Sequence, residues 1–415
     1  MIKFNLYYLI KLMSKSYFLD KKLSFPKNSK VLVRVDFNVP LKNNNVVDES
    51  RILLCIPTIK LLLKNNNSVI LISHLGRPKK IEENLSMKII HSHLKKKSFF
   101  RKKIIHFCDS FEEEELKLAK KKLKLGEILI LENLRFNNGE QSSSILFAKK
   151  IARNVDFFIN DAFAVCHRQD ASIVKIPSLF KTNKLPGLLL QKEIFELNKV
   201  LNSKKPKLAV IGGAKISTKV SLINKLLYTC DDIIIGGAMA FSFIKHLGGR
   251  VGLSIYENEE LEKVANILKN AKIQKCNIHL PVDVISVKKE NTLTYKRKIH
   301  NIPDDEMGLD IGPKSCKMFE SVILKSKIII WNGPMGMFEK KQFEVGTEKI
   351  SLAISYATSS GSYSLVGGGD TLSAISKFKK TASNFHNFNF MSSGGGAMLA
   401  FLQNPELPGI KALKK

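Results

Sequence analysis

Apolar and polar positions follow two different periods along this chain. Short apolar runs that are rich in β-branched residues and end at Gly, Asn or Pro predict strands. In the first half these runs are "VLVRV" (31–35), "SVILIS" (68–73), "EILIL" (127–131) and "VDFFIN" (155–160). Between the first two, "IPTIKLLLKN" (56–65) has the apolar spacing of a helix. Strands that alternate with helices in this way indicate a parallel α/β sheet.

The second half repeats the alternation after a stretch of different character. In residues 181–207, Pro186 and Gly187 precede a long amphipathic pattern and then a polar Lys/Pro segment, which predicts a connector between two domains. The strands predicted beyond it are "KLAVI" (207–211), "DIIIG" (232–236), "NIHLP" (277–281), "KIIIW" (327–331), "YSLV" (363–366) and "FNFM" (388–391). A chain of 415 residues has room for two domains, each with a core of its own.

The composition is that of a globular protein except for its charge. Hydrophobic residues make up 44% and charged residues 25%, but the net charge is +30, which raises the question of a nucleic-acid or membrane-surface binder. The lysines are spread through predicted helices, as in "LKLAKKKLKLG" (116–126), and are not interleaved with aromatic residues that stack on bases. We interpret the charge as a general lysine bias and expect no nucleic-acid partner and no membrane partner.

The cysteines and the first residues bear on where the protein works. Six dispersed cysteines without a C-x-x-C pair are typical of a reduced, cytoplasmic protein. Residues 1–17 contain a short apolar patch that Lys11 interrupts, and no small-residue cleavage site follows it. We expect these residues to be a frayed N-terminal extension, or to result from a start upstream of Met13, rather than a signal peptide.

Glycine-bearing loops follow four of the predicted strands in the second half. They are "GGAK" (212–215), "GGAMAF" (236–241), "NGPMG" (332–336) and "GGGDT" (367–371), and "SSGGGA" (392–397) follows the last strand. Ligands of open α/β sheets bind beyond the carboxyl ends of the strands, where these loops lie. Glycines let a backbone approach a ligand closely, and the first amides of a helix attract anions, so the loops predict a phosphate site.

Individual side chains in these loops refine the prediction. Asp370 behind three glycines would repel a phosphate unless a cation lay between them, which predicts Mg²⁺, although the same residue is equally suited to cap a helix. Lys215 behind a glycine turn suits stabilisation of a transferring phosphoryl group, and we expect Lys219 one helical turn later. Asn332 and Glu339 follow another strand, and Glu339 is either a ribose acceptor or a solvated acid.

Arginine is rare in this chain and is concentrated after the strands of the first half. The motifs are "DFN" (36–38), "SHLGRP" (73–78), "ENLRF" (132–136) and "NDAFAVCHR" (160–168), with Arg51 in the turn "DESRI". Arginine presents a planar fork that binds phosphate or carboxylate with two hydrogen bonds. The sequence therefore predicts a site for a small polyanion, built from Asp36, Asn38, Arg51, His74, Arg77, Arg135 and Arg168, with His167 nearby. A nucleotide on the other domain would reach this anion by closure about the connector.

Taken together, these motifs closely resemble the phosphoglycerate kinase family. "RVDFNVP" (34–40), "GLDIGP" (308–313), "WNGPMGMFE" (331–339) and "LPGIKAL" (407–413) add to those already quoted, in the same order over roughly residues 18–415. The resemblance implies reversible, Mg²⁺-dependent phosphoryl transfer from 1,3-bisphosphoglycerate to ADP, which gives 3-phosphoglycerate and ATP. It also implies a monomer of two Rossmann-like domains, each a parallel sheet flanked by helices, joined by a hinge helix.

The resemblance also implies domain limits and residue roles. Residues 18–184 would bind phosphoglycerate, 185–204 would form the hinge and linker, 205–403 would bind the nucleotide, and 404–415 would return to the first domain. The predicted anion residues would hold the substrate, and Arg51, Lys215 and Gly395 would stabilise the transferring group. The nucleotide residues would be Gly213, Lys215, Lys219, Gly237, Gly308, Asn332, Glu339, Gly367, Gly368, Gly369, Asp370 and Thr371, with Asp370 on Mg²⁺.

The sequence departs from the family pattern at three places. Ala164 to Cys166 replace the usual Gly-Thr-Ala, Ala238 replaces a glycine and Ala400 replaces a glutamate. None removes a charged group of the site, so we expect an active, slower enzyme.

Two other functions remain open. The alternatives are another ATP-dependent carboxylate kinase with the same loops, and a basic nucleic-acid binder. A dehydrogenase is disfavoured because no strand-linked G-x-G-x-x-G with an acid downstream is present.

Overall fold

A computed structural model describes residues 24–203, 206–288, 293–381 and 387–414, so the predicted extension 1–17 lies outside the described residues. The chain divides into two compact units. Unit 1 ends at Phe195 and also takes in the C-terminal residues from Asn404 onward, and unit 2 is Glu196–Gln403.

Unit 1 is built on a parallel sheet of six strands. Its strands, in chain order, are β1 (Lys30–Arg34), β2 (Leu41–Lys42), β3 (Asn45–Val46), β4 (Ser68–Ile72), β5 (Ile105–Cys108), β6 (Ile128–Leu131), β7 (Phe157–Asn160) and β8 (Lys184–Pro186). The sheet order is β5-β6-β4-β1-β7-β8, while β2 and β3 form a separate antiparallel hairpin. Strands β4 and β6 are buried throughout because helices cover both faces of a parallel sheet.

Helices follow the strands of unit 1 as the alternating pattern predicts. They are α1 (Ser50–Lys64), α2 (Met87–Lys95), α3 (Glu113–Lys122), α4 (Asn138–Gln141), α5 (Ile145–Ala152), α6 (Ala171–Ser178) and α7 (Leu188–Leu201). The prediction started α1 six residues too late, because it began the helix at Ile56 and left out the preceding segment "SRILLC", which contains Arg51. The outer strands β5 and β8 were missed, since β5 has exposed His106 and β8 is only three residues long with a proline.

Unit 2 repeats the design with a second parallel sheet. Its strands are β9 (Lys207–Ile211), β10 (Asp232–Ile235), β11 (Arg250–Val251), β12 (Asn277–His279), β13 (Asp283–Lys288), β14 (Thr294–Lys298), β15 (Asn301–Ile302), β16 (Glu306–Ile311), β17 (Ile328–Asn332), β18 (Tyr363–Val366) and β19 (Phe390–Met391). The six-stranded order is β12-β10-β9-β17-β18-β19, and all its pairs are parallel. Its helices are α8 (Val220–Leu227), α9 (Ala240–His246), α10 (Leu261–Gln274), α11 (Pro313–Lys325), α12 (Val345–Ser359), α13 (Gly369–Thr381) and α14 (Gly395–Gln403). The predicted α/β class, with parallel sheets flanked by helices, is confirmed.

Unit 2 also contains a small antiparallel sheet that was not predicted. Strands β13, β14 and β16 pair in the order β14-β13-β16, and β14 reads "TYKRK" with half-buried and exposed positions alternating. Arg297 of β14 pairs with the buried Glu306 of β16 through two hydrogen bonds of 2.6 and 2.9 Å. A strand so rich in lysine and arginine lacks the apolar run by which the other strands were recognised.

The unit boundary lies within helix α7, whose start is held by Asp161. The Oδ1 atom of Asp161 accepts hydrogen bonds from the backbone N–H groups of Leu189 (2.9 Å) and Leu190 (3.2 Å). A side chain at Gly187 would place its Cβ 2.2 Å from the same oxygen, so only glycine fits there. The C-terminal helix α15 (Pro408–Lys411) packs on α6, and Gly409 N donates to Cys166 O at 2.9 Å.

Candidate functional site

In unit 1 the predicted anion residues gather beyond the carboxyl ends of the strands. Arg51, in the first turn of α1, donates from Nη1 to Asp36 Oδ2 at 2.9 Å and to Asn38 O at 3.2 Å. The Oδ1 atom of Asn38 accepts from Gly76 N at 2.8 Å, which ties it to the loop that carries Arg77. Gly76 adopts a φ of +66°, a conformation that glycine tolerates best. Asp36, Asn38 and Arg51 therefore form one hydrogen-bonded group beside Arg77.

Two further arginines line a cleft of about 600 Å³ with unsatisfied donors. Arg135 Nη1 donates to Gly76 O at 2.6 Å, but its Nε and Nη2 atoms are buried and have no hydrogen-bond partner among the described residues. The Nε atom of Arg168 is likewise buried without a partner. Arg77, Arg135 and Arg168 line this cleft together, and Lys79 and Lys80, which the sequence analysis had not selected, join them. Buried N–H groups without partners are costly, so the cleft is built to receive hydrogen-bond acceptors.

His74 lies in the same electrostatic environment, which favours the neutral form of its imidazole. Burial is the main reason why its pKa is lowered well below the usual value, and the charges of Arg34, Arg135, Arg168 and Arg51 add to the effect. The pKa of Arg135 is lowered by burial and by Arg168, while the neighbouring Asp170 acts in the opposite direction. The pKa of His167 is also lowered, first by burial and then by Arg168. Closely spaced cations repel one another, and an anionic ligand would relieve that repulsion.

Arg34 lies beside this group, although it was not among the predicted site residues. Arg34 ends β1, is fully buried, and donates from Nη2 to His74 Nδ1 at 3.0 Å. In an apolar run that predicts a strand, a single arginine is only an interruption of the run and does not indicate a function. The scarcity of arginine in a lysine-rich chain was the signal that would have singled it out.

In unit 2 a pocket of about 250 Å³ lies among the glycine-bearing loops. Five of the predicted nucleotide residues line it: Gly213, Gly237, Gly308, Glu339 and Asp370. Most other lining residues are apolar, including Ala238, Phe241, Val284, Ile299 and Met335. Such a lining suits a flat aromatic ring held between apolar side chains.

Close packing of the loops requires glycine at particular positions around this pocket. A Cβ at Gly212 would lie 2.1 Å from Pro334 O, and one at Gly237 would lie 2.5 Å from Gly213 O. Gly237 also adopts a φ of +68°. The loops that the sequence analysis selected as ligand contacts therefore use some of their glycines to pack against each other.

Most of the remaining predicted nucleotide residues form a second group in the same unit. Asn332 Nδ2 donates to Gly367 O at 2.7 Å, and Lys219 Nζ donates to Asn332 Oδ1. Thr371 Oγ1 accepts from Gly333 N at 2.7 Å. A Cβ at Gly395 would lie 2.4 Å from the Cα atom of Gly368, so the start of α14 lies against the loop that opens α13.

The open face of this group is suited to phosphate. Helix α13 begins at Gly369, which is exposed, and a Cβ there would meet no atom within 4 Å among the described residues outside its own helix turn. The N-termini of α13 and α14 thus present backbone N–H groups side by side. One expectation was wrong: α8 begins only at Val220, so Lys219 does not lie one helical turn beyond Lys215. Lys215 itself is exposed in the preceding loop.

Asp370 is the carboxylate at this open face. It is exposed, and its negative charge acts on the half-buried ammonium group of Lys219. Among the described residues, no three acidic, histidine or cysteine side chains cluster as a ready metal site. A single exposed carboxylate fits Mg²⁺, which prefers one or two carboxylates together with phosphate oxygens and water.

No helix in the described part of the chain has the length and apolarity needed to cross a bilayer.

Comparisons with known proteins agree on one family. The family model for phosphoglycerate kinase matches residues 22–404. Phosphoglycerate kinase of Dictyoglomus turgidum is 40% identical over 405 residues, which cover 97% of this chain and 100% of that protein. The enzyme of the same name from Campylobacter jejuni subsp. doylei is 42% identical over 390 residues, or 93% of this chain and 95% of that protein.

Solved structures give the same result. The structure of phosphoglycerate kinase from Coxiella burnetii has a TM-score of 0.81 at 34% identity and covers 93% of this chain and 96% of its own. That of phosphoglycerate kinase from Pyrococcus horikoshii has a TM-score of 0.76 at 28% identity, with 94% of this chain and 96% of its own covered. The chain belongs to the phosphoglycerate kinase family.

Proposed function

We propose that this protein catalyses reversible phosphoryl transfer from 1,3-bisphosphoglycerate to ADP, which yields 3-phosphoglycerate and ATP. The observation that carries this proposal is the set of buried guanidinium N–H groups of Arg135 and Arg168 in a cleft of unit 1 that have no hydrogen-bond partner among the described residues. A small acid that bears both carboxylate and phosphate supplies acceptors for these donors. Family membership makes phosphoglycerate the fitting acid.

The residues of unit 1 divide the task of binding the acid. Arg77, Arg135 and Arg168 bind its phosphate and carboxylate oxygens, and neutral His74 donates a hydrogen bond. Asp36 and Asn38 O hold the Arg51 guanidinium, so that Arg51 is oriented to stabilise the transferring phosphoryl group. Pre-oriented charge of this kind lowers a barrier because it needs no rearrangement during the reaction.

The residues of unit 2 bind the nucleotide. The apolar pocket that Gly237 and Gly308 line accepts the base, and Glu339 accepts hydrogen bonds from the ribose. The phosphates lie on the residues that remain: Gly213, Lys219, Asn332, Gly367, Gly368, Gly369 and Thr371. Asp370 would hold Mg²⁺ together with these phosphates, and the ion supplies neutralisation of their charge. Lys215 and the backbone N–H of Gly395 stabilise the phosphoryl group as it moves.

Transfer requires that the two bound substrates meet. We place the necessary closure at α7, within which the unit boundary lies. Closure would also exclude water from the reacting groups, because water would otherwise hydrolyse the acyl phosphate.

We further propose a monomer that works in the cytoplasm and has small molecules as its partners. Six dispersed cysteines without a C-x-x-C pair support a reducing compartment.

A coupled assay tests the function. Wild-type protein is given 3-phosphoglycerate and MgATP, and glyceraldehyde-phosphate dehydrogenase reports the product. Arg51→Ala and Lys215→Ala should each lower kcat by about 100-fold or more, because each removes a charge that faces the transferring group. The matched controls are Arg153→Ala and Lys269→Ala, which remove exposed cations outside both sites and should leave kcat unchanged.

The same preparation distinguishes the alternatives. Folded wild-type protein without turnover would refute the proposed reaction. ADP release with another carboxylic acid, and none with 3-phosphoglycerate, would instead identify a different carboxylate kinase. Binding of DNA that falls steeply with salt, in a protein without kinase activity, would favour the nucleic-acid binder.

A further inference from the structure

A continuous chain of buried hydrogen bonds runs from Glu140 to His74 in unit 1. Ser172 Oγ and Glu140 Oε1 are 2.5 Å apart, and Ser172 N donates to Glu140 Oε2 at 2.9 Å. Arg34 Nε donates to Ser172 Oγ at 2.9 Å, and Arg34 Nη2 lies 3.0 Å from His74 Nδ1. Glu140, Ser172 and Arg34 are fully buried and His74 is 3% exposed. Helices α4 and α6 are thereby connected to the ends of β1 and β4.

The direction of each hydrogen bond follows from the chemistry of arginine. A guanidinium group only donates, so His74 Nδ1 must accept from Arg34. A neutral imidazole carries one proton, which then lies on Nε2. Ser172 Oγ accepts from Arg34 and donates its own proton to Glu140. Arg34 Nη1 also donates to Val35 O, so three contacts orient the guanidinium group.

We propose that Arg34 is a positioning residue that fixes His74 as the Nε2–H tautomer, so that His74 meets the acid substrate as a neutral hydrogen-bond donor. The inference rests on the proposed function, since it describes the same substrate site. Arg34 itself is fully buried, and it acts on the substrate through His74.

The charges around His74 explain why a neutral donor is needed there. Cationic groups from several elements act on it: Arg34 of β1, Arg51 of α1, and Arg135 and Arg168 in the loops after β6 and β7. The carboxylates near these groups are engaged elsewhere, since Asp36 binds Arg51, Asp170 lies 3.9 Å from Arg135 and Glu140 binds Ser172. A protonated imidazole would add one more positive charge to this cluster. A neutral imidazole with its proton on Nε2 adds a directed donor without that repulsion.

The tautomer can be measured directly on the wild-type protein without substrate. Long-range ¹H–¹⁵N correlations of ¹⁵N-labelled histidine separate Nε2–H, Nδ1–H and doubly protonated rings. A spectrum of His74→Gln identifies the His74 signals among those of the nine histidines. We expect Nε2–H throughout the range in which a free histidine titrates, about pH 5.5 to 7.5. An Nδ1–H ring, or a ring that becomes doubly protonated in this range, would overturn the inference.

Two variants test whether Arg34 causes this state. Arg34→Met removes the donor, so His74 should populate both tautomers and the KM for 3-phosphoglycerate should rise about 10-fold with little change in kcat. Ser172→Ala removes only the support at Nε, so the Nε2–H tautomer should persist and the KM should rise less. A mixture of tautomers in Ser172→Ala and none in Arg34→Met would contradict the assignment.

The outcomes for the two proposals can be separated. The NMR measurement needs no turnover, so a wild-type protein that has the Nε2–H ring but no kinase activity would refute the proposed function alone. If Arg34→Met misfolded, kcat and KM would both change, and circular dichroism would show the misfolding. The spectrum of the wild-type protein would then still establish which tautomer His74 adopts. Active wild-type protein with the wrong tautomer would refute the role of Arg34 alone.

Discussion

Arg135 carries two buried side-chain nitrogens, and Arg168 carries one, that have no hydrogen-bond partner among the described residues. An unsatisfied buried donor costs about 1–3 kcal/mol, and a cluster of like charges adds to that cost. Residues with such a cost are characteristic of sites that a ligand completes. The buried arginines of the anion cleft therefore make the substrate-free protein less stable than apolar side chains would at the same positions. A bound acid supplies the missing hydrogen bonds.

Gly369 gives a residue-scale prediction for the nucleotide site. Gly369→Ala should raise the KM for ATP about 10-fold, because the new methyl group would occupy the space next to the helix start that phosphates require. Stability should not change, since the Cβ meets no protein atom within 4 Å. Steady-state kinetics and thermal unfolding measure the two effects.

Gly361→Ala is the control for this prediction. Its Cβ also meets nothing within 4 Å, but its φ is +99°, so the substitution strains the backbone. It should lower stability by about 1 kcal/mol and leave the KM for ATP unchanged. An unchanged KM in Gly369→Ala would mean that the phosphates do not approach α13 at this point.

At the scale of elements, the start of α7 depends on a carboxyl group with an unusual pKa. Burial raises the pKa of Asp161 to about 7, although the two backbone N–H groups that it accepts from act in the opposite direction. The unfolded chain has the usual value of 3.8. The native state therefore binds an extra proton between these values, and the stability that this proton provides is lost as pH rises toward 7.

We expect the free energy of unfolding of unit 1 to fall by up to about 1.4 kcal/mol per pH unit between about pH 5 and 7. Asp161→Asn cannot titrate and should remove this slope while its Oδ1 still accepts from Leu189 and Leu190. Urea unfolding followed by circular dichroism at several pH values measures the slope. A slope that is the same in both proteins would show that Asp161 does not titrate in this range.

Unit 2 supplies an internal control for the same experiment. Burial raises the pKa of Asp310 to about 7 as well, and Asp310 lies in the unit that contains the single tryptophan, Trp331. Fluorescence of this buried indole follows the unfolding of unit 2. Its pH dependence should persist in Asp161→Asn.

At the scale of the whole molecule, we expect the net charge of +30 to attract anionic substrates. We expect kcat/KM to fall several-fold as salt rises from about 50 to 500 mM, because screening weakens the attraction of phosphorylated substrates, while kcat stays constant. Kinetics at several salt concentrations measure this. A kcat/KM that does not depend on salt would mean that the lysine-rich surface has no part in substrate capture.

The agreement between sequence and structure differs from element to element. Central strands such as β4 and β17 were predicted because a continuous apolar run is visible in the sequence itself. Strands β5 and β14 were not, because each has exposed polar positions and is stabilised by its neighbours in the sheet. The start of α1 was also placed too late, since Arg51 belongs to the helix and yet serves the site.

Local sequence was enough for the α/β class and the family, because apolar periodicity, glycine-bearing loops and arginine motifs are properties of short segments. It also suggested candidate site residues, but not Arg34, Lys79 or Lys80. Tertiary structure decided which guanidinium groups lack a partner, which nitrogen of His74 accepts, and how far burial shifts the pKa of Asp161. These properties depend on burial and on contacts between distant residues, as between Arg34 and Ser172, which are 138 positions apart. Such contacts form only when the chain has folded.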